Sequence, residues 1–139
     1  MKIRLADGHD EPEALRLHKL AWDEYNKGSE MPSWDTPGDP KQTLLPFLET
    51  GQLVVADNGD RLAGMVAVAT FGKWWMLMNI VVDDEFRGNG VAKKMVEMAD
   101  SIGVGLGATE GYIWAPNRLG KFYSDAGYKP VGQIMVKNA

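Results

Sequence analysis

Apolar and polar positions along this chain fall into short blocks whose period changes several times. Residues 2–6 alternate, which reads as a first strand. A helical spacing follows. Asp10 opens it, Pro12 sits in its first turn, and Ala14, Leu17 and Ala21 share one face that Tyr25 extends. Residues 26–40 are rich in Gly, Pro and Ser with Trp34 in their middle, a loop of the length that usually serves function. A second short helix opens at Asp39 or Pro40 and ends near Gly51, bent or shortened by Pro46. Residues 52–56 and 61–71 are β-rich runs joined by Asp57-Asn58-Gly59-Asp60, and Asn-Gly there signals a hairpin. Gly72-Lys73 turns the chain into residues 74–82. These are nearly all apolar, as in a central strand covered on both faces.

Alternation sends Trp74 and Trp75 to opposite faces of that strand. A helix then begins near residue 91. Val91, Met95, Met98, Ala99 and Ile102 lie on one side, and Lys93, Lys94, Glu97 and Asp100 on the other. Gly103 reads as its C′ cap. Residues 109–115 read as a strand, 117–126 as a short helix, and 128–137 as a closing strand or bent strand pair. The order β-α-α-β-β-β-α-β-α-β is an α/β arrangement with a mostly antiparallel first half.

Composition narrows the chemistry. The 139 residues make one domain, 1–139, with no linker long enough to divide it. The absence of cysteine removes disulfides, zinc–thiolate sites and any Cys nucleophile. His9 and His18 have no metal-ligand spacing, so no metal cofactor is expected. The first residues carry no secretory pattern and no run approaches a membrane span. A soluble, cytoplasmic protein without a membrane partner is the expectation. A net charge of −4 speaks against a nucleic-acid groove.

The informative stretch is residues 79–95, NIVVDDEFRGNGVAKKM. An apolar strand stops, Arg87 follows, and Gly88 and Gly90 bracket the turn into a helix. A helix N-terminus carries unpaired N–H groups and about half a positive elementary charge, which makes it an anion site. Glycine at 88 and 90 leaves no Cβ between backbone and anion, and successive amides can form a nest around a pyrophosphate. The plainer reading is a tight strand–turn–helix connection with no ligand. A dinucleotide fingerprint needs Gly where Lys93 stands, and a P-loop needs Gly-Lys-Ser/Thr before the helix.

Residues 82–92, VDDEFRGNGVA, resemble the acetyl-CoA motif of the GNAT superfamily of N-acetyltransferases, R/Q-x-x-G-x-G/A after an apolar strand. Arg87, Gly90 and Ala92 fill its places. Residues 122–128, FYSDAGY, resemble the family's second segment, F/L-Y-x-x-x-G-F/Y, about 35 residues downstream. The resemblance covers essentially the whole chain. It implies a GNAT-like fold, a mixed central sheet of six to seven strands flanked by about four helices, with acetyl-CoA as co-substrate. It also implies that Ile80, Val81 and Val82 offer backbone groups to the pantetheine arm and thioester. Arg87, Gly88, Asn89, Gly90, Val91, Ala92 and Lys93 would hold the pyrophosphate, Asn117 would lie beside the pantetheine, and Tyr123 would act as general acid near the sulfur.

Three positions depart from the family pattern. Asp84 replaces a usual Pro. Asn117 lies six rather than seven residues before the Tyr, with Pro116 in the aligned place. Met78 and Asn79 stand where many members carry a carboxylate base.

The implied reaction is direct attack of a neutral primary amine, on a small molecule or a peptide N-terminus, with no covalent enzyme intermediate. A backbone N–H near Val81 or Val82 would meet the oxyanion. Freeing a lysine-like amine of its proton at pH 7 costs ~4–5 kcal/mol, against ~1 for an α-amino group, so a weakly basic amine is favoured. Glu30, Asp35 and Glu110 are the other base candidates, each more often a solvated surface carboxylate. Trp22, Tyr25 and Trp34 would wall the acceptor, although Trp22 also reads as core. A homodimer through the C-terminal strands is a further expectation. An acetyl-CoA-binding module without catalysis, serving as sensor or partner subunit, is the alternative reading. A tRNA-acylating toxin is a third, opposed by the net charge.

Overall fold

The computed structural model describes residues 1–27, 38–135 and 137–139. Strand β1 (Lys2–Leu5) enters helix α1 (Glu11–Asn26) through a 3₁₀ turn at Gly8–Asp10. Asp7 caps that turn by accepting from His9 N–H, while the Asp10 carboxylate accepts from Asp7 N–H at 2.8 Å. Arg4 clamps the corner, bonding Asp10 at 2.7 Å and Asp57 at 3.1 Å. The guanidinium of Arg4 holds the Asp10 carboxyl below its ordinary range.

The expected second helix is split at Leu44 into α2 (Pro40–Thr43) and α3 (Leu45–Glu49). Asp39 caps α2, and Pro46 opens α3 rather than bending a longer helix. Strands β2 (Leu53–Asp57), β3 (Leu62–Phe71) and β4 (Trp74–Val82) form an antiparallel meander with β1 at its edge. Both hairpins turn where the sequence predicts, with Gly59 at φ 99° and Gly72 at φ 61°. Helix α4 (Val91–Gly105) crosses over to β5 (Glu110–Tyr112), which pairs parallel with β4. A 3₁₀ turn at Asn117–Leu119 and the short α5 (Gly120–Asp125) follow.

The sheet is therefore mixed and five-stranded, in order β1-β2-β3-β4-β5, not six- to seven-stranded. The missing strands are those expected from residues 128–137. Among the described residues this segment joins no strand, and Val131, Ile134 and Met135 are exposed. Gly132-Gln133 interrupts its alternation, and β5 offers only three residues as a template. The strand expected over 109–115 contracts to those same three residues.

Each face of the sheet has its own core. Val91, Met95, Val96 and Ala99 of α4 pack on Val54, Val66, Val68 and Leu77. Ala14 and Leu17 of α1, with Leu44 and Leu48, pack on Leu53, Val55, Met65, Ala67 and Val81. The predicted faces of α1 and α4 are the buried ones.

Trp74 and Trp75 do point to opposite faces. Trp74 is exposed against Phe71 and Tyr112, with ring centroids at 5.0 and 5.5 Å. Trp75 is buried between α4 and β5. A Cβ on Gly103 would lie 2.5 Å from its ring, and one on Gly111 would lie 2.2 Å away. Gly103 is thus not a cap but an interior helix residue that makes room for an indole. The indole N–H donates to Asp100 at 3.0 Å, and the Tyr128 hydroxyl donates to the same carboxylate oxygen. Burial pushes the Asp100 carboxyl up despite these two donors.

Gly103→Ala separates two opposing effects. Helix propensity alone would stabilise by about 1 kcal/mol. Overpacking against Trp75 costs about 1–3 kcal/mol. Net destabilisation in urea unfolding is expected, and a stabilised variant would refute the packing account.

Candidate functional site

The site begins with an interruption in β4. Gly64 faces Val82 and Met65 faces Val81, but Ala67 faces Met78, so Asn79 and Ile80 together oppose Val66. Asn79 has φ 53°, the one positive value outside glycine among the described residues. Asn tolerates this left-handed region better than most residues. The extra residue shifts the strand's parity. Trp75 and Leu77 serve the α4 core before it, whereas Ile80 and Val82 serve that core after it. A bulge bends and twists its strand. Here β4 pairs with β5 only over Trp74–Met76, and from residue 77 onward its β5-side edge has no strand partner among the described residues.

The hydrogen bonds fix which groups line that open edge. Asp83 N–H donates to Ala63 O of β3 at 2.8 Å. Backbone direction alternates along a strand, so the N–H and C=O of Val82 project the other way. Val82 O accepts from Arg87 Nε at 3.1 Å. Of the two predicted oxyanion donors, Val82 is the one whose amide faces the opening, while Val81 faces β3.

Beyond β4, Asp83 caps the 3₁₀ turn Asp84–Phe86 and accepts from Arg16 of α1 at 2.7 Å. Arg16 also donates to Leu62 O at 2.8 Å, and Glu13 bonds both Arg16 and Leu62 N–H. This network ties α1 to the end of β4. Arg87 stands next in line, ion-paired with Glu24 of α1 and with Asp84. The Glu24 carboxylate raises the already basic guanidinium further. Arg87 therefore braces the loop against α1.

Gly88 (φ 82°) and Gly90 (φ 74°) carry the chain into α4, with Gly90 as N-cap and no side-chain cap. A Cβ at either position would meet nothing within 4 Å, so left-handed backbone, not crowding, demands glycine. Asn89 folds its amide nitrogen back to Phe86 O at 3.2 Å and Arg87 O at 3.4 Å. The first helical bond is Lys94 N–H to Gly90 O, which leaves the amides of Val91, Ala92 and Lys93 aimed out of the helix mouth. Val91 and Met95 send their side chains into the core, while Lys93 and Lys94 are exposed. Lysine in a first helical turn opposes the helix dipole unless an anion sits there.

Of the remaining predicted residues, Tyr123 shares the α4-side core with Ile80, Val82 and Val91, while Asn117 and Trp22 lie on other elements. Tyr123 is 5% exposed and lies in the α4-side core, edge-on to Phe122 at 4.9 Å and to Tyr128 at 6.0 Å. Asn117 is exposed at the start of its 3₁₀ turn. Trp22 is 39% exposed on α1. Tyr25 lies in α1, and its side chain, like Trp34, Glu30 and Asp35, falls outside the described residues. Glu110 is exposed and accepts from the Tyr112 hydroxyl at 2.6 Å. Among the described residues no metal-holding cluster forms, and no helix is long and apolar enough to cross a membrane. Sequence reasoning missed Arg16, Glu24 and Asp83. The Asp83-x-Glu85 spacing of an Asx turn was the one available signal.

The acetyltransferase (GNAT) domain family matches residues 49–130, more than half of the chain, including β4, the glycine turn and α4. The chain belongs to this family. Solved structures carry the same GNAT fold at low identity. Glucosamine-6-phosphate N-acetyltransferase from Arabidopsis thaliana aligns at 18% identity over 99% of this chain and 97% of that one, with a TM-score of 0.69. A predicted acetyltransferase from Clostridium acetobutylicum, solved with acetyl-CoA, gives 18% identity, 99% and 95% coverage and a TM-score of 0.74. A Mycobacterium tuberculosis protein in complex with CoA gives 15% identity, 99% and 76% coverage and 0.76. No curated protein matches the sequence.

Because the space beside Gly90 is open, substitution there costs backbone strain alone. Gly90→Val should destabilise by about 1–2 kcal/mol and Gly90→Asn by less. Thermal unfolding of the pair reads this order, and equal losses would contradict it.

Proposed function

We propose that this GNAT chain is an acetyl-CoA-dependent N-acetyltransferase that acetylates a primary amine, on a small molecule or a peptide N-terminus, in a ternary complex. One observation carries the reading: an open β4 edge leads directly to a helix mouth built from left-handed glycines, outward amides and two lysines. The spacing suits a ligand with an amide-bearing arm and a diphosphate end. The diphosphate would sit on the amides of residues 91–93, and the arm would lie along β4. The amine nitrogen attacks the thioester carbon, the Val82 amide meets the developing oxyanion, and the C–S bond breaks with its electron pair on sulfur.

A bulky residue at Gly90 should weaken CoA binding tenfold or more in calorimetry, while Lys93→Ala with Lys94→Ala weakens it less and flattens its salt dependence. Unaltered CoA heats across these variants would sink the site.

Burial of Tyr123 supports a second reading, a CoA-binding module without turnover. A general acid supplies typically 10²–10⁴-fold. Tyr123→Phe is therefore expected to lower kcat by at least 10²-fold if its hydroxyl protonates the thiolate. Unchanged turnover would assign Tyr123 to packing alone.

A further inference from the structure

Asn79 does more than bend a strand. Its side-chain nitrogen donates to Thr43 O, at the end of α2, at 2.6 Å. That bond fixes the amide on the α1–α2 face of β4, at the residue where the strand's register breaks. Asn79 as a whole is only 9% exposed. Its amide oxygen takes no hydrogen bond among the described residues, yet no buried side-chain nitrogen or oxygen there lacks a partner. This oxygen therefore opens to solvent, immediately before the stretch of β4 assigned above to the thioester.

We propose that Asn79 binds the acceptor: its oxygen takes a hydrogen bond from the attacking amine and accepts no proton, which confines the enzyme to weakly basic primary amines. The proposal rests on the acetyl-transfer reading. An amide oxygen is not a base near pH 7, so an ammonium substrate must shed its proton to water before its lone pair can attack. About one lysine-like amine in 2,500 is neutral at pH 7, against roughly one α-amino group in ten. The α-amino group thus starts with an advantage of two orders of magnitude. Among the described residues on the elements around this face, two buried groups titrate: His18, with Nε2 3.4 Å from Thr43 Oγ1, and Asp83, ion-paired with Arg16. Asp23, Lys41, Glu49 and Glu110 are exposed, and Glu24 is paired with Arg87.

The test uses amines of stepped basicity, with CoA calorimetry beside the kinetics. In the native enzyme log(kcat/KM) should climb with pH and level off at each amine's own pKa. A plateau at one pH shared by all amines would overturn the proposal. Asn79→Gly keeps the left-handed backbone, which glycine accepts without strain. It should raise the acceptor KM about tenfold with CoA affinity unchanged. An unaltered acceptor KM would overturn the assignment.

Should the glycine variant fail to fold, Asn79→Asp places a carboxylate at the same spot. It should introduce one common inflection for every amine, and a native-like profile counts against Asn79. CoA binding without acetylation of any amine removes the acceptor role and leaves the cofactor site intact. No CoA heat at all removes the acetyl-transfer reading itself.

Discussion

β4 has to satisfy two neighbours with different demands. Along β3 it pairs almost from end to end, whereas along β5 it pairs for three residues and then leaves. The left-handed backbone at Asn79 reconciles the two. Without it, the apolar residues on either side would keep one parity, and Ile80 and Val82 would face α1 instead of α4. Both cores, the open edge and the direction of the Val82 amide follow from that single conformational choice.

The helix mouth is the second element, and its charges are not at rest. Asp83, Asp84, Glu85 and Glu24 crowd the loop before α4, yet each is turned toward Arg16, Arg61 or Arg87. The arginines absorb the acidic side of the loop and keep it off the amides. Lys93 and Lys94 then add positive charge to a helix end that is already positive. The arrangement costs a little stability, which an anion at the helix mouth would offset.

Much of this was legible in the chain. Asn58-Gly59 and Gly72-Lys73 fixed both hairpins because their turns demand positive φ, and the spacing in α1 and α4 marked their buried faces. The glycine turn before α4 could be read because backbone chemistry is local. What escaped depended on partners distant in sequence. Arg87 read only as a pyrophosphate ligand because nothing in the string brings Glu24 to it. Asn79 read as a missing carboxylate, since a bulge is visible only against β3. Residues 128–137 read as a strand because alternation is visible in the string and the lack of a partner strand is not. Gly103 read as a cap because its real neighbour, Trp75, lies 28 positions away.

That last contact has a wider consequence. One indole occupies the volume that two absent methyl groups leave free, one on a helix and one on a strand. None of the three positions can drift alone. A larger residue at 103 or 111 requires a smaller one at 75, and a smaller residue at 75 leaves a hollow that only growth at the other two can fill. In descendants of this chain the three should therefore be inherited as a set, exchanged together or kept together.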